Sequence, residues 1–581
     1  MKKILNNTSL LAFVLILASC SAWLEETPTS NIGPQQVGDS KEAVDLWVTG
    51  VYSNWLYDMF CWSQFPRVLE LDNDYISGPD WLFSSLGAGN FAGDDGTIEK
   101  LWTGPYNLIN DANMAIRYIR AMTGVDEAYR DNAVGELLFQ KAFCYFLLVR
   151  AFGPVPYYDT DVNDVADFYK PRTSVKEIYG HITAMLEEAA ALMYTLDDAN
   201  YQAGHVCAGS AAGLLAKVYA TMGAGAMPAG TEIIVRTGEP YEEAIDAEGN
   251  KAKVCRMPEA MTFAKDAVAG YEDLDAADCF AKAALWAEKV IDGDYGFYAL
   301  SDYDVLWKRT NRDASEFMWT VRSISGEEKY SSHIHTYYSG YKASAGSEFI
   351  NSGGWVGNTN NWYQLFDETD RRITDGVRHF WRYYYQESYN GCFYYPQSWS
   401  SKVRGYDALN NWTGEQEEQY AATGYAYQYN TSSECLAFTT KYDDVENDAT
   451  DYTDSSWPFL RYADVLLVAA EAENELGNGE QAMTYLNTVR RRSAASALEA
   501  VPSQTRMRSL ILEERAKELA CEGDRRWDLI RWGIYLQAMN AIGGRDDSNV
   551  VKTRTERNLL YPIPVAEINA NPYINENNPG W

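Results

Sequence analysis

Trp81 follows the turn sequence Gly78-Pro79-Asp80, and Asp72-Asn73-Asp74-Tyr75 lies just upstream. A ring presented by a turn beside carboxylates and amides suits a ligand with an apolar face and a hydroxylated rim. A pyranose is such a ligand: its C–H face stacks on an indole, and Asp, Asn or Arg groups pair the hydroxyls round its edge. An indole has only two side-chain torsions, so holding it still at a surface loses little entropy. Trp81 is therefore a candidate platform, with Asp80 and Asn90 as polar partners. Gly353-Gly354-Trp355 and Asn360-Asn361-Trp362 repeat the pattern of rings beside turn residues and amides, which adds Tyr337, Trp355, Asn361 and Trp362. For each of them the plain alternative is burial in the core, where most large apolar side chains reside.

Cutting a glycosidic bond would need two carboxylates at a set separation. With 82 Asp and Glu in the chain, neighbours such as Asp94-Asp95 arise from composition and single out nothing. No GxSxG, HExxH or P-loop sequence occurs, so no catalytic residue is assigned. His333 and His335 form a close pair among five histidines, but they lack a third ligand and read as a solvated loop. The acidic run Asp443-Asp444-Val445-Glu446-Asn447-Asp448 has hard oxygens, yet not the glycine and terminal glutamate spacing of an EF-hand. No metal or cofactor is expected, and a structural calcium at that run stays open as an alternative. A surface glycoside hydrolase is the rival class, and a helical-repeat adaptor that binds peptides is a third.

The elements that must position these rings are mostly helical. Apolar periodicity predicts helices over 40–59, 97–121, 126–152, 207–223, 277–291, 458–476, 479–492 and 505–522. Another starts at the capping box Ser174-Val175-Lys176-Glu177. Gly153-Pro154 stops one helix, Gly477 caps another, and Pro458 is read in a first turn. Helices joined in pairs with small residues at their contacts suggest a tetratricopeptide-like stack, although no clean 34-residue period is readable. Two stretches refuse the pattern. Residues 224–275 hold a candidate hairpin at Glu248-Gly249-Asn250, and residues 325–456 carry most of the loop aromatics, from Tyr337 to Tyr429. So long a loop region in a compact protein usually has a function.

The chain has 49 Lys and Arg against 82 Asp and Glu, a net charge of −33, which repels phosphate and makes nucleic acid a poor partner. Its 42 Tyr against 20 Phe place hydroxyls where a core needs none, so many of these rings should keep one wet edge. The N-terminus is an address. Lys2 and Lys3, the apolar stretch Leu10–Leu17 and the small residues Ala18 and Ser19 form a signal peptide over 1–19, ending at Cys20. Its removal takes two lysines and leaves the chain more acidic still. Residues 20–39 read as an extended tether, and 40–581 as one α-rich domain. None of the other cysteines forms a CxxC pair, and Cys144 reads as a small core hydrophobe.

Leu17-Ala18-Ser19-Cys20 resembles the bacterial lipobox, in which the cysteine is acylated, and several acyl chains on one residue anchor stably. Further along, Pro458-Phe459-Leu460-Arg461-Tyr462-Ala463-Asp464 and Glu513-Glu514-Arg515-Ala516-Lys517-Glu518-Leu519 resemble the SusD/RagB family. So do Glu522-Gly523-Asp524-Arg525-Arg526-Trp527-Asp528, the ending Tyr561-Pro562-Ile563-Pro564, and Gly153 to Pro156. The resemblance implies a mainly α, tetratricopeptide-like (SusD-like) fold with long irregular insertions and few short strands. It also implies a non-catalytic lipoprotein of the outer membrane, exposed outside the cell. Such a protein captures oligosaccharide or polysaccharide for a SusC-like TonB-dependent transporter. Relatives use a loop near Trp81 for glycan contact, which puts Trp81 first among the candidates. Residues 513–531 could form a charged binding patch, with Glu522 and Arg526 at helical spacing, but an ion-paired structural corner is the favoured reading.

Overall fold

The frame is a run of helices whose starts are capped by short polar side chains. This computed structural model describes residues 37–581, apart from 61–63, 164–167, 246–250, 348, 379, 384–391, 395–435 and 547. Cys20, the leader, most of the tether, and the rings from Tyr395 to Tyr429 lie outside the described residues. Ser40 caps α1 (Lys41–Asn54) by accepting from the Ala43 amide. A π-helical turn carries the chain on over Trp55–Phe60, and α2 (Gln64–Glu70) and the short α3 (Asp80–Phe83) come next. Asp95 and Asp126 cap the two long helices α4 (Gly96–Ala121) and α5 (Glu127–Phe152). The capping box at Ser174 and Glu177 forms as expected and opens α6 (Val175–Leu192). The Ala- and Gly-rich α7 (Ala208–Ala226) and α8 (Ala276–Ile291) complete the first half.

The five long helices pack in chain order, α4 on α5, α5 on α6, α6 on α7 and α7 on α8. Then α8 packs on α13 (Tyr462–Glu475), which packs on α14 (Gly479–Arg492) and α15 (Gln504–Glu518). Helix α5 is long and apolar enough to cross a bilayer by length and composition, but 94% of its most apolar window is buried in the protein. Between α8 and α13 stand short helices, α9 (Tyr303–Leu306), α10 (Ile334–Tyr338), α11 (Asn360–Tyr363) and α12 (Arg371–Thr374). Beyond α15 come α16 (Arg525–Arg531), α17 (Tyr535–Asn540) and α18 (Val565–Ala570).

Strands are few, short and confined to small sheets. The expected hairpin forms as β3 (Tyr241–Ile245) paired antiparallel with β4 (Lys251–Cys255), its tip lying outside the described residues. It sits within a second antiparallel pair, β2 (Glu232–Thr237) with β5 (Glu259–Ala264). In the later insertion, β7 (Tyr341–Lys342), β8 (Phe349–Ser352), β10 (Phe380–Tyr383) and β11 (Cys392–Tyr394) form one four-stranded sheet.

Two helix boundaries differ from the reading of the sequence. Residues 458–461 are not helical: β12 (Trp457–Arg461) pairs with β6 (Phe317–Val321), and the helix begins at Tyr462. Pro458 has no N–H to give, and the register shifts directly after it, as a proline in a ladder requires. Helix α15 ends at Glu518 because Cys521 and Gly523 take positive φ, so Glu522 and Arg526 are not one turn apart on a helix.

That corner is nonetheless an ion-paired one. Arg461 is fully buried and reaches Glu316 (2.7 Å), Glu518 (3.0 Å) and Glu522 (2.8 Å). Arg372 holds Asp370, Glu514 and Glu518, and Arg492 also meets Glu518. Burial alone would raise the Glu518 carboxyl, but Arg492, Arg461 and Arg372 hold it well below the ordinary range.

Candidate functional site

Strand β1 (Ile76–Ser77) pairs antiparallel with β9 (Gly357–Asn358), Ser77 opposite Gly357. In an antiparallel ladder the chain leaving one strand lies beside the chain entering the other, so the Gly78–Phe83 turn meets Trp355. The approach is close: a Cβ on Gly78 would lie 2.4 Å from the Trp355 carbonyl oxygen. Pro79 then opens α3 with Trp81 in its first turn.

Trp355 is fixed from the other side. Gly353 and Gly354 have φ of +101° and +64°. This conformation lets the Gly354 and Trp355 amides donate to the Thr336 and Tyr337 carbonyls at the end of α10 (2.7 and 2.8 Å). A Cβ on Gly353 would lie 2.3 Å from the Thr336 oxygen, so the turn requires glycine.

Three rings meet as a result. Trp81 and Trp355 stand edge to face with centroids 4.8 Å apart at 87°, and Tyr337 meets Trp355 at 5.4 Å and 83°. Trp81 is 61% exposed, while Trp355 and Tyr337 are half-buried behind it. Burial raises the Tyr337 phenol above its ordinary value, offset in part by Arg67, which is hydrogen-bonded to it. The phenol thus stays neutral, and Arg67 adds a cation beside the rings that sequence reasoning missed. Nothing near Arg67 in the chain signals it, since its partner is far off in sequence. Asp80 and Asn90 are exposed, Asp80 next to Trp81 and Asn90 at the end of a turn its amide closes onto Ser85.

The acids upstream of Trp81 face inward. Asp74 is bidentate with Arg525 (2.8 and 2.7 Å). Asp72 takes Arg526, Arg554 (3.0 Å) and the Tyr535 hydroxyl (2.8 Å). Lys552 donates to the carbonyls of Asn73 and Ile76. The basic side chains at 525 and 526 therefore anchor the base of the loop that presents Trp81.

Glu70 belongs to the same base, accepting from the Gly523 amide (2.6 Å) and from Asn73. Burial pushes its carboxyl up to about 8, and Asp524 adds to the rise. Below its ordinary value, 4.5, the group is protonated in folded and unfolded chains alike. As pH rises from there towards 8, the unfolded chain sheds a proton that the folded one keeps, so stability falls across that window. Glu70→Gln removes this titration. It should gain on the wild type by of order 2–4 kcal/mol between pH 5 and pH 8 in paired urea titrations. An equal gap at both pH values would refute the assignment.

Four other residues sit differently from expectation. Asn361 and Trp362 are each only 3% exposed. Asn361 donates to the Gly238 carbonyl, Trp362 to the Ala516 carbonyl (2.8 Å each), and the Trp362 ring packs on Phe366. They form no platform, because Asn-Asn-Trp here makes the short helix α11, which turns its ring into a core. His333 and His335 are buried rather than solvated, His335 Nδ1 lying 2.6 Å from the Tyr442 carbonyl oxygen. Packing of α10 against residues 442–454 covers both. Within the acidic run, Asp443 meets Arg378, Glu446 meets Arg309 and Asp448 meets Lys342. Among the described residues no group of three or more His, Cys, Asp or Glu side chains is gathered for a metal.

Comparison with known proteins matches this frame. A family profile described as "SusD family" covers residues 301–581, and one described as "Starch-binding associating with outer membrane" covers 22–220. SusD-like protein P2 of Formosa agariphila is 25% identical over 586 residues, covering 98% of each chain. A SusD homolog of Bacteroides thetaiotaomicron superposes with TM-score 0.71 at 20% identity, over 96% of this chain and 100% of that one. Surface glycan-binding protein A of the same organism, solved with laminarihexaose, superposes with TM-score 0.62 at 16% identity, over 92% and 99% of the two chains.

Proposed function

The chain belongs to the SusD/RagB family, and from that premise we propose that it is a non-catalytic glycan-binding lipoprotein of the outer-membrane surface. It captures oligosaccharide on the Trp81–Trp355–Tyr337 platform and passes it to a SusC-like TonB-dependent transporter. The observation that carries the reading is the Trp81 indole, 61% exposed yet held edge-on against Trp355. An indole that is exposed yet held still by its own fold offers a sugar a flat and rigid surface. The starch- and glycan-binding names of its relatives support the same ligand class.

Affinity electrophoresis through gels containing soluble starch, laminarin, xylan or pectin, with chromatography of the products, tests it. Retardation by at least one polysaccharide without release of sugars is expected. Released sugars would replace the binding protein with a hydrolase, and passage through every gel would reject the ligand class. Cys20 carries the anchor in this reading. Cys20→Ala should move the protein from the membrane fraction to the soluble one, and retention at the membrane would reject lipidation.

A further inference from the structure

A second cleft, of about 270 Å³, lies between α4, residues 156–162 with Phe168, and α18. Trp102 and Tyr106 stand four residues apart on α4, and Thr103 and Asn107 come one residue after each. That spacing lays a stripe of rings beside a stripe of polar groups on one helix face. Across from them, Tyr158 meets Tyr106 edge-on (5.8 Å, 88°), and Phe168 stacks on Tyr158 (5.9 Å, 27°). The walls are pinned from the backbone. The Tyr106 hydroxyl donates to the Pro156 carbonyl (2.8 Å), the Tyr158 amide donates to the Tyr145 hydroxyl (2.7 Å), and Asn113 binds the Tyr158 and Thr160 carbonyls. Phe168 nevertheless remains 49% exposed at the lip.

We propose that this cleft is a second carbohydrate subsite, taking one or two uncharged hexose rings. The proposal rests on the glycan-binding reading above and extends it to a cleft whose lining shares no residue with the Trp81 platform. Phe168 and Tyr158 offer the apolar face, and Thr103 and Asn107 lie where ring hydroxyls would fall. Glu567 stands in the lining, and Lys170, 5.4 Å from the Tyr158 ring centre, is already paired with Asp159 (3.4 Å), so the carboxylate there disfavours uronate and favours neutral sugar. The cleft is slightly smaller than the ~300–1,000 Å³ of drug-sized sites, so it suits a short stretch of a longer chain.

Fluorine NMR of 5-fluorotryptophan-labelled protein reads both sites at once, with the Trp102 and Trp81 resonances assigned from Trp102→Phe and Trp81→Phe. Maltohexaose and laminarihexaose are the probes. The Trp102 resonance should titrate with at least one of them, persist in Trp81→Ala, and require about tenfold more sugar in Phe168→Ala or, should that variant fold poorly, in Asn107→Ala. A silent Trp102 beside a titrating Trp81 overturns the second subsite and leaves the platform standing. A titrating Trp102 beside a silent Trp81 does the reverse, and silence at both rejects the two together.

Discussion

Arg461→Met is expected to lower the stability of the protein by about 3–5 kcal/mol, enough to remove most of the margin of an ordinary fold. The guanidinium is wholly buried and meets the carboxylates of Glu316, Glu518 and Glu522. Methionine fills much of the space but leaves three acids in a low-dielectric interior with fewer cations between them. Arg492, Arg372 and Lys441 remain in the network and cap the loss. The urea midpoint, or the soluble yield where unfolding is irreversible, measures it. A shift under about 1 kcal/mol would show that the network relaxes or takes up protons without Arg461. The same substitution touches no ring of the platform, so surviving folded protein should bind glycan as before.

Trp81→Ala carries the opposite signature. Glycan affinity should fall about 10- to 100-fold, the effect of truncating a central aromatic anchor. The thermal midpoint should stay within about 2 °C of the wild type, since the indole is mostly outside the core. Isothermal titration with the polysaccharide found by affinity electrophoresis, together with a melt, separates the outcomes. A large drop in the midpoint would make the ring structural, and unchanged affinity would put the glycan elsewhere.

Much of the frame was legible because the signals are local. The capping box at Ser174 and the stop at Gly153 act within one turn of chain, and so they appear in sequence as they act in space. One misplaced boundary marks where a distant partner overrides such signals. Pro458 suits a first helical turn by itself, but β6 lies ready to pair with it. The ion-paired character of 513–531 could be read from composition, while the partners Asp72 and Asp74, on which the platform loop depends, could not.

From its residues alone this chain declared a helical stack and an inventory of rings beside turns. Among the candidates, Trp81 and Trp362 look alike in sequence, each next to amides or acids and a short turn. Only the tertiary structure separates them. The β1–β9 ladder leaves Trp81 in water with Trp355 and Tyr337 behind it, whereas α11 packs Trp362 against Phe366 and the end of α15. Helix periodicity is a property of neighbours three and four residues apart. Exposure of a ring is a property of whatever the rest of the chain lays over it, and that is decided by contacts hundreds of residues away.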